Sequence, residues 1–113
     1  MSEPVCLPDF EGCDDPMTTV RQLAQWTIDQ GTPEWAQMLK VSEEAGEAAQ
    51  AYLRHVKRPP TDAPDPWSGQ DVVYELADTA IAALVAIQRL NHWDAEVVLT
   101  ARLDILRQRF LAG

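Results

Sequence analysis

The sequence predicts an all-α chain of four helices around one core. Three observations point there. Apolar residues recur at helical spacing over long stretches, most densely from Val72 to Leu90, where fourteen of nineteen residues are apolar. Asp15-Pro16 and Thr32-Pro33 each place an acceptor side chain before a proline, a common way to begin a helix. No segment reads as a strand. The 113 residues imply one domain, and a hydrophobic fraction of 46% is enough for a packed core. A monomer of this size has modest stability.

Residues 1–15 are acidic, carry Pro4 and Pro8, and hold few apolar side chains. They read as a flexible arm before a single domain over 16–113. The first helix is expected from Asp15-Pro16 to about Gln30, with Gly31 ending it. Its inner stripe is Val20, Leu23, Ala24 and either Thr27 or Ile28. The second is expected from Thr32-Pro33-Glu34 to His55 or Val56. Trp35, Met38, Leu39, Ser42, Ala45, Ala49, Tyr52 and Leu53 give it a mainly apolar face, and Lys40, Glu43, Glu44 and Glu47 fall on another.

The stretch from Pro59 to Gly69 holds four of the eight prolines and reads as a loop. It is long for a helix connection, and either a lid over a site or a simply mobile loop fits it. Ser68-Gly-Gln-Asp71 resembles a capping box with Asp in the place of Glu or Gln. The third helix then runs to about Leu90. It is apolar nearly all round, the pattern of a buried helix. Either Asn91 or Asp94 caps the fourth helix, expected from about Ala95 to Leu111. There Leu99, Leu103, Leu106 and Phe110 form a narrow seam for packing on another helix. Arg102, Arg107 and Arg109 flank the seam and are expected to be solvated or paired with acids.

A net charge of −9 argues against nucleic acid or an anionic membrane as partner. It leaves a nucleotide open, because a bound divalent cation reverses the local sign. Cys6 and Cys13 fit no zinc spacing and read as free thiols of a reducing cytoplasm. No basic segment followed by an apolar one suggests a secretory signal. The longest fully apolar run, Ala80 to Ile87, is far too short to span a bilayer.

The chemistry concentrates in two stretches. In Lys40 to Tyr52, Glu43, Glu44 and Glu47 lie within five residues. On a helix Glu43 stacks under Glu47, and Glu44 neighbours Glu47, so like charges crowd together. On the apolar third helix, Glu75 and Asp78 form a second i, i+3 pair. Carboxylates on a buried helix are unfavourable unless paired, protonated or bound to metal. If the two helices pack side by side, Glu44, Glu47, Glu75 and Asp78 converge. A set of oxygen donors suits Mg²⁺ or Mn²⁺ rather than Zn²⁺ or Cu²⁺.

The pattern Glu43-Glu44-x-x-Glu47, then Glu75-x-x-Asp78 after 27 intervening residues, resembles the all-α nucleoside-triphosphate pyrophosphatase superfamily. It is most similar to the MazG-like proteins. Leu39-Lys40, Gly46, Ala48, Ala49, Ala51 and Leu76-Ala77-Asp78 carry the likeness further, over about Val20 to Leu111. Thr79 and Ala80 depart from it, since a bulkier aliphatic pair is expected after Asp78.

The resemblance implies a four-helix MazG-like bundle completed by dimerisation, with a tetramer the less expected assembly. It implies hydrolysis of a nucleoside triphosphate to the monophosphate and pyrophosphate by water attack at the α-phosphorus. Glu44, Glu47, Glu75 and Asp78 would hold Mg²⁺, with Mn²⁺ a substitute. Glu43 would orient the water or hold a second metal. Lys40 would touch a phosphate or steer the carboxylates.

Trp26 and Trp35 are candidates for base stacking, set against the commoner packing role. Arg54, Lys57 and Arg58 are candidates for phosphate contact, set against a role at the helix C-terminus. Asp71 is read as belonging to the first turn and cap rather than to the site. Two other functions fit the motif: a nucleotide-sensing or partner-binding dimer without turnover, and phosphoribosyl-ATP pyrophosphohydrolysis.

Overall fold

A computed structural model describes residues 15–57, 69–90 and 93–112. These residues are all-helical, in the order α1 (Pro16–Asp29), α2 (Glu34–Val56), α3 (Gln70–Arg89) and α4 (Ala95–Phe110). The expected acidic arm, nearly all of the loop after α2, Arg58, Trp67, Ser68 and Asn91 lie outside the described residues. No described helix is long and apolar enough to cross a membrane.

The helix starts show how local chemistry sets the boundaries. The Asp15 carboxylate accepts from the backbone N–H groups of Met17 and Thr18, at 3.1 and 3.3 Å, with Pro16 at the first helical position. Asp94 caps α4 in the same way, accepting from Val97 N at 3.3 Å, so of the two candidates it is the cap.

One expected cap does not form. Thr32 is engaged elsewhere: its N–H donates to the Thr27 carbonyl and its own carbonyl accepts from Arg89. Pro33 stands at the cap position of α2 without a side-chain bond. At α3 the cap residue is Gly69, at φ 88°, a left-handed conformation that glycine adopts without strain. The capping box expected from Ser68 begins outside the described residues.

α2 and α3 run antiparallel and make the most extensive contact, with α1 against α3. On α2 the buried residues are Gln37, Glu44, Ala48 and Ala51, and on α3 they are Ala82, Val85 and Ala86. Small residues on both sides let the two helices approach closely. The Gln37 amide donates to the Ala82 carbonyl at 3.1 Å and fixes the pairing. The core of the described residues is Val20, Ala24, Val85 and Ala95, flanked by Met17, Leu84 and Ile87.

The apolar face of α2 is therefore not the face that packs inside the chain. Met38, Leu39, Tyr52 and Leu53 are exposed, as are Val73, Tyr74 and Leu76 on the supposedly buried α3. Leu23 and Ile28 of α1 and the whole seam of α4 are exposed too. Periodicity identifies an apolar face but does not say which chain covers it.

Polar side chains tie the remaining elements. Arg21 of α1 donates to both carboxylate oxygens of Asp94, at 2.9 and 3.2 Å, and to Glu96 at 2.8 Å. Arg89 of α3 donates to Thr27 Oγ1 at 2.9 Å and to the Thr32 carbonyl at 2.7 Å, anchoring the α1–α2 turn. Arg107 pairs with Asp104, as expected for the arginines of α4, and Arg109 lies over the Phe110 ring.

The Arg21 guanidinium, with help from the cap, holds the Asp94 carboxyl below its ordinary 3.8. A carboxyl lowered on folding adds stability that is complete above the ordinary value and lost as pH falls through the folded one. Arg21→Ala is expected to melt below the unmodified protein at neutral pH. The gap should narrow below about pH 4, which thermal melts across an acid series would measure.

Candidate metal centre

Glu44 of α2 meets Glu75 and Asp78 of α3, with one oxygen from each lying within 4.8 Å of the others. Helix pairing explains the convergence. Glu44 falls in the buried stripe, two turns after Gln37, so it points at α3. Glu75 and Asp78, one turn apart on α3, both reach it. Glu44 is only 8% exposed, Glu75 is half-buried and Asp78 opens to solvent. Glu47 lies outside this group of three but stands beside Glu75.

The electrostatics are unbalanced. Glu75 Oε2 is buried and has no hydrogen-bond partner. Partial burial raises the Glu75 pKa, and so do Glu47 by charge and contact, Glu44 and Asp78. Two ionised carboxylates cannot donate to each other, so only a proton or a cation relieves the contact.

Lys40 supplies one positive charge. Its ammonium lies 3.1 Å from Glu44 and 4.0 Å from Glu43. The bond to Glu44 raises its pKa and keeps it charged. One ammonium against Glu44, Glu47, Glu75 and Asp78 leaves a surplus of negative charge. The residues present fit a hard divalent cation: the donors are all oxygen and a buried acceptor lacks a donor.

The site opens into a cleft of about 540 Å³ between α1, α2 and α3. Lys40, Glu43, Glu44 and Asp78 line its acidic end, and Leu23, Trp26 and Ile81 provide an apolar wall. A hollow of about 600 Å³ along α4 is slightly larger, but it is an apolar furrow away from the acids. The cleft on α1–α3 joins an acidic cluster to an aromatic wall.

The other candidate residues divide. Trp26 is on the cleft wall, whereas Trp35 is 66% exposed and not among the residues lining it. Arg54 is exposed and shares the stripe of Glu47, about 10 Å further along α2. Lys57 stands at the C-cap of α2 on a different stripe. Asp71 sits in the first turn of α3, as expected.

Two contributors escape the sequence reading. Gln37 was detectable in principle, since it precedes Glu44 by two turns. Arg89 carries no local signal, because its partners Thr27 and Thr32 come from the α1–α2 turn.

The fold and the site together define an all-helical protein with a candidate carboxylate metal centre at the end of an open cleft. No family model, no curated protein and no solved structure matches the chain.

Proposed function

We propose that the chain is a Mg²⁺-dependent nucleoside-triphosphate pyrophosphohydrolase. One observation carries the reading. The donorless Glu75 oxygen lies beside Glu44 and Asp78, and those two carboxylates line a cleft that also has an apolar and aromatic wall. Such a cleft has a place for a cation with phosphates and a place for a base. The resemblance of the two acidic motifs to MazG-like proteins supports the same reading.

Glu44, Glu75 and Asp78 hold the cation, with Glu47 as the adjacent carboxylate. When bound, Mg²⁺ offsets the charge of the phosphate oxygens and of the departing pyrophosphate. Lys40 positions Glu44. Glu43, exposed on the cleft rim, takes the proton of the water that attacks the α-phosphorus. Trp26 stacks on the base. Arg54, on the stripe beyond Glu47, receives the charge of the pyrophosphate.

The test is pyrophosphate release from a panel of standard and modified nucleoside triphosphates, with Mg²⁺ or Mn²⁺. Metal-dependent release is the expected result. Trp26→Ala should raise KM on the order of tenfold with kcat nearly unchanged, the effect of losing one stacked base contact. No release from any member of the panel would overturn the hydrolase reading. If the metal still raised the melting temperature, a binding role without turnover would remain.

A further inference from the structure

The one buried residue of α4 is Ala95, in its first turn. A helix of 16 residues is marginal in water unless something packs on it. Further along, Leu103, Leu106 and Phe110 line the furrow of about 600 Å³ and are exposed, Phe110 at 71%.

Charge sets this furrow apart. Arg102, Arg107 and Arg109 bring three of the chain's nine basic residues into positions 102–110. Asp104 is the single acid of that stretch and pairs with Arg107. Among the described residues Arg102 and Arg109 are in no ion pair, and Arg109 lies over the Phe110 ring. An apolar furrow with spare positive charge therefore stands on a protein of net charge −9.

We infer that the chain's own N-terminal segment, residues 1–14, covers this furrow. Val5, Leu7 and Phe10 meet Leu103, Leu106 and Phe110, and acids of the segment lie alongside Arg102 and Arg109. The segment holds Glu3, Asp9, Glu11 and Asp14 and neither Lys nor Arg, so its charge is the complement of the furrow's. Exposed ion pairs add little energy each. Apolar contact therefore carries the affinity, and charge selects the occupant.

Length fits as well. Asp15 stands about 9 Å along α1 from Arg21, which bonds Asp94 directly, and Leu103 stands about 14 Å along α4 from Asp94. Val5, ten residues before Asp15, reaches up to about 33 Å. Tethering keeps the segment at a high effective concentration, so a weak contact suffices. Pro4 and Pro8 restrict the unbound chain and reduce the entropy lost on docking. A second copy of the chain fits less well here, because a two-fold axis would set the same arginines against each other. The uncharged groove beside Ala45 and Leu76 offers the acids no partner. The inference is independent of the hydrolase reading, because it uses no residue of the carboxylate site.

Hydrogen exchange of the full chain, read over α4, tests it. Val5→Ser and Leu7→Ser, both before the first helix, should each speed exchange at positions 103–108 on the order of tenfold, the effect of losing one apolar contact. Arg102→Glu combined with Arg109→Glu should also speed it, by replacing attraction with repulsion. Exchange in α2 should not change in any of these variants. In the unmodified protein the protection of α4 should be the same at high and low protein concentration. Protection that ignores Val5→Ser and Leu7→Ser would overturn the inference. Protection that fades on dilution would place a second copy on the furrow and overturn it too.

Discussion

Glu75→Gln and Asp78→Asn should each reduce pyrophosphate release by roughly 10²–10³-fold, the scale of losing one preorganised electrostatic group. Both substitutions keep the shape of the side chain and remove one ligand charge. Each residue contributes one of the three converging oxygens, and Glu75 also holds the donorless atom. The loss should fall on kcat as well as kcat/KM, because the missing charge acts on the reacting phosphate. Glu47→Gln should cost less, since Glu47 stands beside Glu75 and outside the group of three. Glu34→Gln, an acidic residue in the first turn of α2, should leave turnover unchanged. Equal turnover in the Glu75→Gln, Asp78→Asn and unmodified proteins would remove the carboxylate centre from the reaction.

The second large effect is on stability. Mg²⁺ or Mn²⁺ at a hundredfold excess over its Kd should stabilise the folded state by about 2.7 kcal/mol. For a chain of this length that is a rise in melting temperature of about 10 °C. Glu75→Gln should abolish most of this rise and should melt higher than the unmodified protein in chelator, because one of the mutually repelling charges has gone.

The pH dependence has a definite sign. The folded Glu75 pKa lies above its ordinary 4.5. As pH falls through the raised value, the folded state takes up a proton before the unfolded state does. The metal-free protein therefore gains stability from Glu75 on mild acidification, until the ordinary value is reached. Bound metal should erase that gain. The loss from Asp94 begins only below about pH 4, so the two effects occupy different windows. A metal-free melting temperature that does not respond to Glu75→Gln would contradict this account.

The legible parts of the chain were those set by near neighbours. The start at Asp15-Pro16 and the four helices themselves follow from capping chemistry and periodicity, which also narrow the start of α4 to Asn91 or Asp94. The convergence of Glu44, Glu75 and Asp78 followed from two i, i+3 pairs once the helices were assumed to lie side by side. Other features depend on partners distant in sequence. Arg21 finds Asp94 across 73 positions, and nothing beside either residue announces it. Thr32 does not cap α2, where Pro33 takes the cap position, and its carbonyl instead accepts from Arg89, 57 positions away. The apolar face of α2 was legible, yet the stripe that packs on α3 holds Gln37 and Glu44 as well as alanines. Small side chains win that contact because they permit a short distance between helices, a requirement that hydrophobicity alone does not express.

The cleft is built from two separable parts. Its carboxylates stand on α2 and α3, whose spacing is set by alanine contacts and by Gln37. Leu23 and Trp26 stand on α1, joined to the hairpin by the short turn that Arg89 holds. Substitutions on the exposed side of α1 can reshape the apolar wall without moving any of the three oxygens. The architecture thus allows selectivity to diverge while the reacting end stays constant, and a library confined to positions 23 and 26 is the natural place to retarget the protein.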